Sequence, residues 1–337
     1  MKPFPSMSSL DANPARRVKD HPLISVITPL YNEEAVLPHL AKRLRDVFAA
    51  LPNVSWEWIA VDDGSRDQTF ELAAQEMKVA PGWQLMQLSR NFGQQAAYRA
   101  GLDLSKGDAV IFLDADMQDP PEKIPEMIDL WLRGNLQVVG RRQSRPERGF
   151  RGFCLRAFHE LFHRVTGGVI PKDSGTFALM DRCLVDELKR MPERGMFLPA
   201  QRGWLGFPTT SVSYHRSQRA GDPKQSYRKL FSYAWEGITS FSVLPLQLIS
   251  LSGLVVSLFG FGYAAVLLAI KVSQMFGWFQ ELKIAGFTTI SVSILCLGGI
   301  QLLSLGVIGS YLAKVFYEVK SRPFYIKARH LGSPPRT

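Results

Sequence analysis

Val110-Ile111-Phe112-Leu113-Asp114-Ala115-Asp116-Met117-Gln118-Asp119-Pro120-Pro121-Glu122 is an apolar run that ends abruptly in carboxylates, an amide and a pair of prolines. The apolar half reads as a strand buried on both faces. The prolines stop any strand or helix from continuing through the turn and suit the start of a new helix at Glu122. Asp114 and Asp116 therefore sit at the carboxyl end of a strand. Two carboxylates one residue apart on a tight turn, with Gln118 in reach, are hard oxygen ligands for a divalent cation that keeps positions open for phosphate. In isolation an Asp-x-Asp turn more often binds nothing, so its neighbours decide.

Strand candidates and helices alternate around this stretch. Leu23–Pro29 breaks at Pro29-Leu30-Tyr31-Asn32-Glu33-Glu34 into a helix running to about Ala50, with the acids in its first turn, where the helix dipole favours them. Trp56–Val61 ends in Asp62-Asp63-Gly64-Ser65-Arg66-Asp67 ahead of a helix from about Thr69. Trp83–Leu88 gives way to Ser89-Arg90-Asn91-Phe92-Gly93 and a helix to Leu102. A helix over Glu122–Leu132 and a strand at Leu136–Gly140 follow the opening stretch, and further on Phe177–Met180 is strand-like and Asp181–Met191 helical. This alternation predicts an α/β fold, a mostly parallel sheet with helices on both faces. Open sheets of this kind bind ligands at the carboxyl ends of their strands, so the loops at Pro29–Glu33, Asp62-Asp63 and Asp114–Gln118 converge on one crevice. By itself, Asp62-Asp63-Gly64-Ser65 is equally an ordinary turn with a helix cap. No Gly-x-Gly-x-x-Gly and no Gly-x-x-x-x-Gly-Lys-Ser/Thr stands at these turns, which weighs against dinucleotide and phosphate-loop sites. A nucleotide whose diphosphate is held by a cation on the aspartates stays open.

The basic residues cluster in two places. Arg141, Arg142, Arg145, Arg148, Arg151, Arg156 and Arg164 crowd a segment in which Phe150, Phe153, Ala157, Leu161 and Val165 recur at helical spacing. That pattern is either a solvated basic face or an interfacial helix whose guanidinium forks meet lipid headgroups or a substrate phosphate. Arg216–Arg228 is a basic loop, broken by Gly221-Asp222-Pro223, and it leads into an amphipathic helix, Tyr227 to Phe241, expected to lie in a membrane surface. Asp173, before Ser174-Gly175-Thr176-Phe177, is a lone acid at a turn; it braces the loop unless the crevice brings it to the substrate.

No charged residue occurs from Gly237 to Ile270 or from Ile284 to Ala313, and each run exceeds the roughly 20 residues that cross a bilayer core of about 30 Å. The basic flanks, Arg216, Arg219, Lys224, Arg228 and Lys229 before and Lys314, Lys320, Arg322, Lys327 and Arg329 after, predict a hairpin with both ends cytoplasmic. Glycines in both spans permit close helix packing. The expected domains are a disordered lead over residues 1–21, an α/β domain over 22–225, an interfacial helix over 226–243, spans over 244–272 and 284–316, and a tail over 317–337.

The 337 residues carry a formal charge of +10, with a pI near 9.6. A basic excess suits nucleic acid or anionic lipid, but no zinc-finger spacing or other nucleic-acid signature is present, so nucleic acid is not an expected partner. The three cysteines, Cys154, Cys183 and Cys296, lie far apart and suggest neither a disulfide framework nor a metal cluster.

Thr28-Pro29-Leu30-Tyr31-Asn32-Glu33-Glu34, Val61-Asp62-Asp63-Gly64-Ser65, Arg90-Asn91-Phe92-Gly93-Gln94, Leu113–Glu122, Asp173-Ser174-Gly175 and the paired spans together resemble the inverting family 2 glycosyltransferases of the GT-A fold. Within them, the chain is similar to the polyprenyl-phosphate branch of dolichyl-phosphate mannose synthases and bacterial undecaprenyl-phosphate glucosyl- or aminoarabinosyl-transferases. The resemblance covers about residues 22–326. It implies that Pro29, Tyr31, Glu33, Asp62 and Asp63 line the nucleotide, and that Asp114, Asp116 and Gln118 hold Mg²⁺ or Mn²⁺ on the donor diphosphate. Asp116 and Asp173 are the candidate catalytic carboxylates. Arg141 matches the arginine that contacts the acceptor phosphate, with Arg151 or Arg156 as its companion. Where the family tends to show Gly-Glu-Ser-Lys-Tyr, this chain has Gly221-Asp222-Pro223-Lys224-Gln225-Ser226-Tyr227, leaving Arg219 and Lys224 as diphosphate contacts. The implied partners are a nucleotide-sugar donor, a polyprenyl-phosphate acceptor and the bacterial cytoplasmic membrane, with a homo-oligomer, a tetramer, allowed by the resemblance.

The closeness of Asp173–Phe177 to the glucosyl branch makes UDP-glucose the first expected donor, ahead of an aminoarabinose derivative and GDP-mannose. Processive polysaccharide synthases carry Gln-x-x-Arg-Trp, whereas the nearest string here is Gln201-Arg202-Gly203-Trp204. A scaffold or lipid-flipping subunit would leave the acidic loops unexplained, and neither span contains an internal charge to mark a transport path.

Overall fold

A computed structural model of the chain describes residues 20–79, 82–142, 174–193, 197–214, 244–276 and 286–332. These divide between two compact units, one within Met1–Lys224 and Arg322–Thr337 and the other within Gln225–Ser321.

The first unit is built on strands β1 (Leu23–Leu30), β2 (Ser55–Asp62), β3 (Gln84–Leu88), β4 (Ala109–Phe112), β5 (Gln137–Arg142), β6 (Ser174–Asp181), β7 (Thr210–Tyr214) and β8 (Lys327–Leu331). Its helices are α1 (Leu37–Ala49), α2 (Thr69–Val79), α3 (Gln94–Leu104), α4 (Ile124–Leu132), α5 (Arg182–Arg190) and α6 (Leu198–Trp204). The strands form one sheet in the order β7-β5-β6-β4-β1-β2-β3-β8. β1 pairs in parallel with both β2 and β4, and β2 with β3. The expected mostly parallel α/β sheet is therefore present.

Alternation along the strands sends successive side chains to opposite faces. Ile24 and Val26 of β1 and Ile111 of β4 join a core with Leu40 and Leu44 of α1 and Met127 and Trp131 of α4. Ile27, Val110 and Phe112 join the opposite core with Ala97, Tyr98 and Leu102 of α3 and Leu184 and Leu188 of α5. All of these are at most 3% exposed, so each aliphatic side chain contributes about 1.5–3 kcal/mol of burial. α3 rests on β1 through Gly101, where a Cβ would come within 2.2 Å of Ile27 Cγ2. The chain moves from β1 outward to β2 and β3, then returns to place β4 on the other side of β1. This reversal is the switch point at which open α/β sheets bind ligands.

Several features depart from the pattern expected of the sequence. β6 runs antiparallel between β4 and β5, so the fifth strand is not β4's neighbour; strand order is a tertiary property that periodicity does not encode. α1 begins at Leu37, with Pro38 in its first turn, and Glu33 and Glu34 lie in the turn ahead of it. There the Glu33 carbonyl accepts from the Val36 and Leu37 amides. Residues 317–337 are not merely a tail: Lys327–Leu331 adds to β3 as an antiparallel edge strand. Its exposed, basic sequence needs only backbone pairing, and charged residues suit a sheet edge.

The second unit contains α7 (Leu244–Met275) and α8 (Gly286–Val319). Their apolar stretches, Pro245–Ile270 and Leu297–Val319, are long enough to cross a membrane. Leu258, Phe259, Phe261, Leu302 and Leu303 are each more than 60% exposed, as expected where lipid rather than protein covers a helix. The expected interfacial helix over 226–243 lies outside the described residues.

Candidate active site

Three loops leave the carboxyl edge at the switch point. The loop after β1 carries Pro29 at its root, half-buried opposite Val61, then Tyr31, 43% exposed, and Glu33, half-buried in the turn. It is laced to the loop after β2: the Asn32 amide donates to Ser65 Oγ (3.0 Å), the Arg66 amide to Asn32 Oδ1 (2.9 Å) and the Glu33 amide to Thr69 Oγ1 (2.9 Å). Asn32 takes a left-handed φ of 54°, a conformation asparagine tolerates better than most residues.

Asp62 ends β2 fully buried, its Oδ1 accepting from the Ser65 amide (3.2 Å) and its Oδ2 from Gln87 Nε2 (2.9 Å). Asp63 is 2% exposed and accepts from the Phe92 amide (2.7 Å) and the Gly93 amide (2.8 Å), one on each oxygen. Burial raises its acid above the ordinary carboxylate range, against the opposing pull of those two amides. Asp63 thus ties the loop after β2 to the start of α3. That loop passes close under Arg90: Gly64 has φ +70°, and a Cβ there would meet the Arg90 carbonyl carbon at 2.7 Å. Asp63 was expected to line the nucleotide; both oxygens of its carboxylate hold protein backbone.

The loop after β4 is organised differently. Asp114 Oδ1 accepts from both Gln94 Nε2 (2.6 Å) and the Tyr98 hydroxyl (2.5 Å), whereas Oδ2 takes no hydrogen bond among the described residues. Asp116 Oδ1 accepts from the Gln118 amide at 3.1 Å. Met117 between them has φ 60°, a turn that brings Asp116 and Gln118 back on one another. Gln118 is 6% exposed, and its Oε1 is buried with no donor among the described residues. An unpartnered buried carbonyl oxygen costs free energy unless something electropositive meets it. Burial pushes the Asp114 acid up to about 6; the Tyr98 hydrogen bond opposes this, and the charges of Asp119 and Asp116 add to it.

This donor set fits a divalent cation. Asp114 Oδ2, a free oxygen of Asp116 and the orphaned Gln118 Oε1 are hard oxygen ligands, and too few to complete a shell. Among the described residues no three His, Cys, Asp or Glu side chains gather as a metal cluster, so a cation here must complete its shell with ligand or water oxygens, as a diphosphate site requires.

Beneath the turn, Asp119 is 1% exposed and accepts from Arg142 Nη2 (3.4 Å) and from the Tyr214 hydroxyl, which in turn accepts from Arg142 Nε (3.1 Å). Arg141, next to it on β5, is exposed. Alternation puts the two arginines on opposite faces, so one anchors the turn and the other is available at the surface. Arg202 on α6 is 1% exposed and donates to the Gly175 carbonyl (3.0 Å), and burial lowers its guanidinium to about 10.

Of the expected site residues, Pro29, Tyr31, Glu33, Asp62, Asp63, Asp114, Asp116, Gln118 and Arg141 lie on loops or strand ends of this edge. Asp173, Arg151, Arg156, Arg219 and Lys224 lie outside the described residues. Gln94, Tyr98, Asp119 and Tyr214 had no expected role, and Arg142, expected on a basic helix face, instead ends β5 and pairs with Asp119 and Tyr214 because the strand runs on through it. Gln94 and Tyr98, four residues apart on one helix face, offered the only signal for their joint contact.

The sequence profile of the family described as "Glycosyl transferase family 2" matches residues 25–189. The chain is 40% identical over 305 residues to an uncharacterized glycosyltransferase of Synechocystis sp., covering 90% of this chain and 94% of that protein. It is 38% identical over 318 residues to the SfII prophage-derived bactoprenol glucosyl transferase of Shigella flexneri (92% and 99% covered). It is 31% identical over 318 residues to the undecaprenyl-phosphate 4-deoxy-4-formamido-L-arabinose transferase of Salmonella choleraesuis (94% of each). With such relatives matched over nearly their whole length, and two helices of membrane-crossing length following an α/β sheet with an acidic switch-point turn, the chain belongs to the family 2 glycosyltransferases, in their polyprenyl-phosphate branch.

Proposed function

We propose that the protein transfers glucose from UDP-glucose to undecaprenyl phosphate, with inversion at the anomeric carbon, on the cytoplasmic side of a bacterial membrane. The observation that carries this reading is the turn after β4 at the switch point, where Asp114 and Asp116 each keep an oxygen without a hydrogen bond among the described residues and the buried Gln118 carbonyl is unpartnered among them. The Shigella relative's name, bactoprenol glucosyl transferase, supports the sugar and the lipid.

Pro29, Tyr31 and Glu33 line the nucleotide, Asp62 forms the floor beneath it, and Asp63 keeps the loop in place. Asp114, Asp116 and Gln118 would hold Mg²⁺ or Mn²⁺, which would neutralise the charge that develops on the leaving diphosphate. Arg219 and Lys224 add positive charge to the same phosphates. Arg141, with Arg151 or Arg156, binds the acceptor phosphate through guanidinium forks, and Asp173 orients it. An oxygen of that phosphate, already ionised near neutral pH, attacks the anomeric carbon while the bond from that carbon to the diphosphate oxygen breaks. The electron pair leaves with UDP and no proton has to be removed, so positioning and charge neutralisation carry the catalysis. The basic residues flanking both spans support a cytoplasmic location for the two ends.

The test is a donor screen with the purified full chain in nanodiscs, undecaprenyl phosphate and Mg²⁺ or Mn²⁺. Lipid-linked glucose from UDP-glucose, lost with chelator, is the expected result. Product only from a UDP-aminoarabinose derivative or GDP-mannose would overturn the choice of sugar, and no lipid product from any donor would overturn the reaction.

A further inference from the structure

We propose that Tyr98 and Gln94 are positioning residues for the cation site: by donating to one oxygen of Asp114, they fix its rotamer and reserve the other oxygen for the cation. The inference rests on reading the turn after β4 as that site.

Both donors reach Oδ1, and Oδ2 takes no hydrogen bond among the described residues. Had the role of these contacts been only to satisfy a buried carboxylate, sharing the donors between its two oxygens would serve better, as Asp63 does with the Phe92 and Gly93 amides. Tyr98 is held firmly enough to position a ligand. It is fully buried on α3 and its ring meets Phe112 edge-on at 5.5 Å. α3 is seated on β1 at Gly101. It is tied to α5 by Arg99, which donates to the Leu188 (3.2 Å) and Lys189 (2.6 Å) carbonyls. From the C-terminal segment, the Tyr325 hydroxyl donates to Asp103 Oδ2 at 3.0 Å, and Phe324 lies under the Arg99 guanidinium at 5.1 Å. A rigid helix thus supplies the hydrogen bonds that orient a cation-binding carboxylate, the arrangement that outer-shell partners of metal ligands commonly provide.

The experiment measures Mn²⁺ binding to the full chain in detergent with saturating UDP, from the electron paramagnetic resonance signal of free Mn²⁺, alongside the acceptor KM. Tyr98→Phe keeps the ring and removes the donor; Gln94→Met, at an exposed position, removes the other donor without touching the core. Each is expected to raise the Mn²⁺ dissociation constant about 10-fold, the double variant further, with the acceptor KM unmoved. Should Tyr98→Phe fail to fold, Gln94→Met decides alone. Wild-type Mn²⁺ affinity in the folded variants, while Asp116→Asn loses binding, would overturn the positioning role and leave the cation site intact. Wild-type affinity in Asp116→Asn would overturn the cation site and this inference with it.

Discussion

The turns after β2 and β4 carry the same chemistry in the sequence and opposite chemistry in the fold. Asp62-Asp63 and Asp114-Ala115-Asp116 each set two carboxylates at a strand's carboxyl end, yet all four oxygens of the first pair accept protein hydrogen bonds. In the second pair, among the described residues, two hydrogen bonds meet on one Asp114 oxygen, a single amide reaches Asp116, and the Gln118 carbonyl beside them has no donor. Acids whose oxygens are all taken by protein donors build a loop, whereas acids left partly open can meet a ligand. The donors decide which is which, and they come from elsewhere in the fold.

The largest expected effect separates the two turns directly. Asp116→Asn keeps the size of the side chain and removes a charge from the open turn, so turnover with a lipid acceptor should fall by at least about 100-fold while the melting temperature stays near wild type. Near-normal turnover would break the assignment. Asp63→Ala should do the reverse. It leaves the half-buried Phe92 and Gly93 amides without their carboxylate acceptor, at about 1–2 kcal/mol each, so thermal or denaturant unfolding should show a loss of about 2–4 kcal/mol. An Asp63→Ala protein of undiminished stability would mean that the turn after β2 is not a structural brace.

A pH series sharpens the contrast. The Asp114 acid stands near 6, and cation binding requires its ionised form. Above that pH this group leaves affinity unchanged; below it, binding must expel a proton, and Mn²⁺ affinity should fall toward about 10-fold per pH unit. In the cation-free protein the sign for stability is the opposite of the usual carboxylate. The folded state holds the Asp114 proton more tightly than the unfolded chain does, so this group's contribution declines as pH rises from about 4 to 6. Mn²⁺ should therefore raise the melting temperature more at pH 7.5 than at pH 5. An Mn²⁺ affinity flat between pH 5 and 7 would contradict the placement of the cation on Asp114. The smallest effect is expected at Glu122, which pairs with Arg43 at the end of the same turn. The pair is only partly exposed, Arg43 at 30% and Glu122 at 54%, so Glu122→Gln should cost about 1 kcal/mol, read as a small shift in melting temperature.

The sheet was legible because Leu23–Leu30, Ser55–Asp62 and Ala109–Phe112 are apolar runs that end in polar turns, a pattern fixed by burial on both faces. The position of the site was legible for the same reason: ligands gather where such strands stop. Local pattern could not show that β6 would insert antiparallel between β4 and β5, or that exposed Lys327-Ala328-Arg329-His330-Leu331 would extend the sheet by pairing with β3. Nor could it tell Asp63 from Asp114. That distinction depends on the Phe92 and Gly93 amides reaching one carboxylate and Tyr98 and Gln94 the other, contacts across 29–30 and 16–20 residues of sequence. Arg141 and Arg142 were alike in composition, and only the ladder beside Tyr214 shows which of them anchors Asp119.

The most direct measurement is anomalous X-ray scattering from crystals of the full chain grown with Mn²⁺ and UDP. The expected result is a manganese peak bounded by Asp114, Asp116 and Gln118 and next to the diphosphate. A peak at Asp62 and Asp63, or a bound diphosphate with no manganese at the turn after β4, would contradict it.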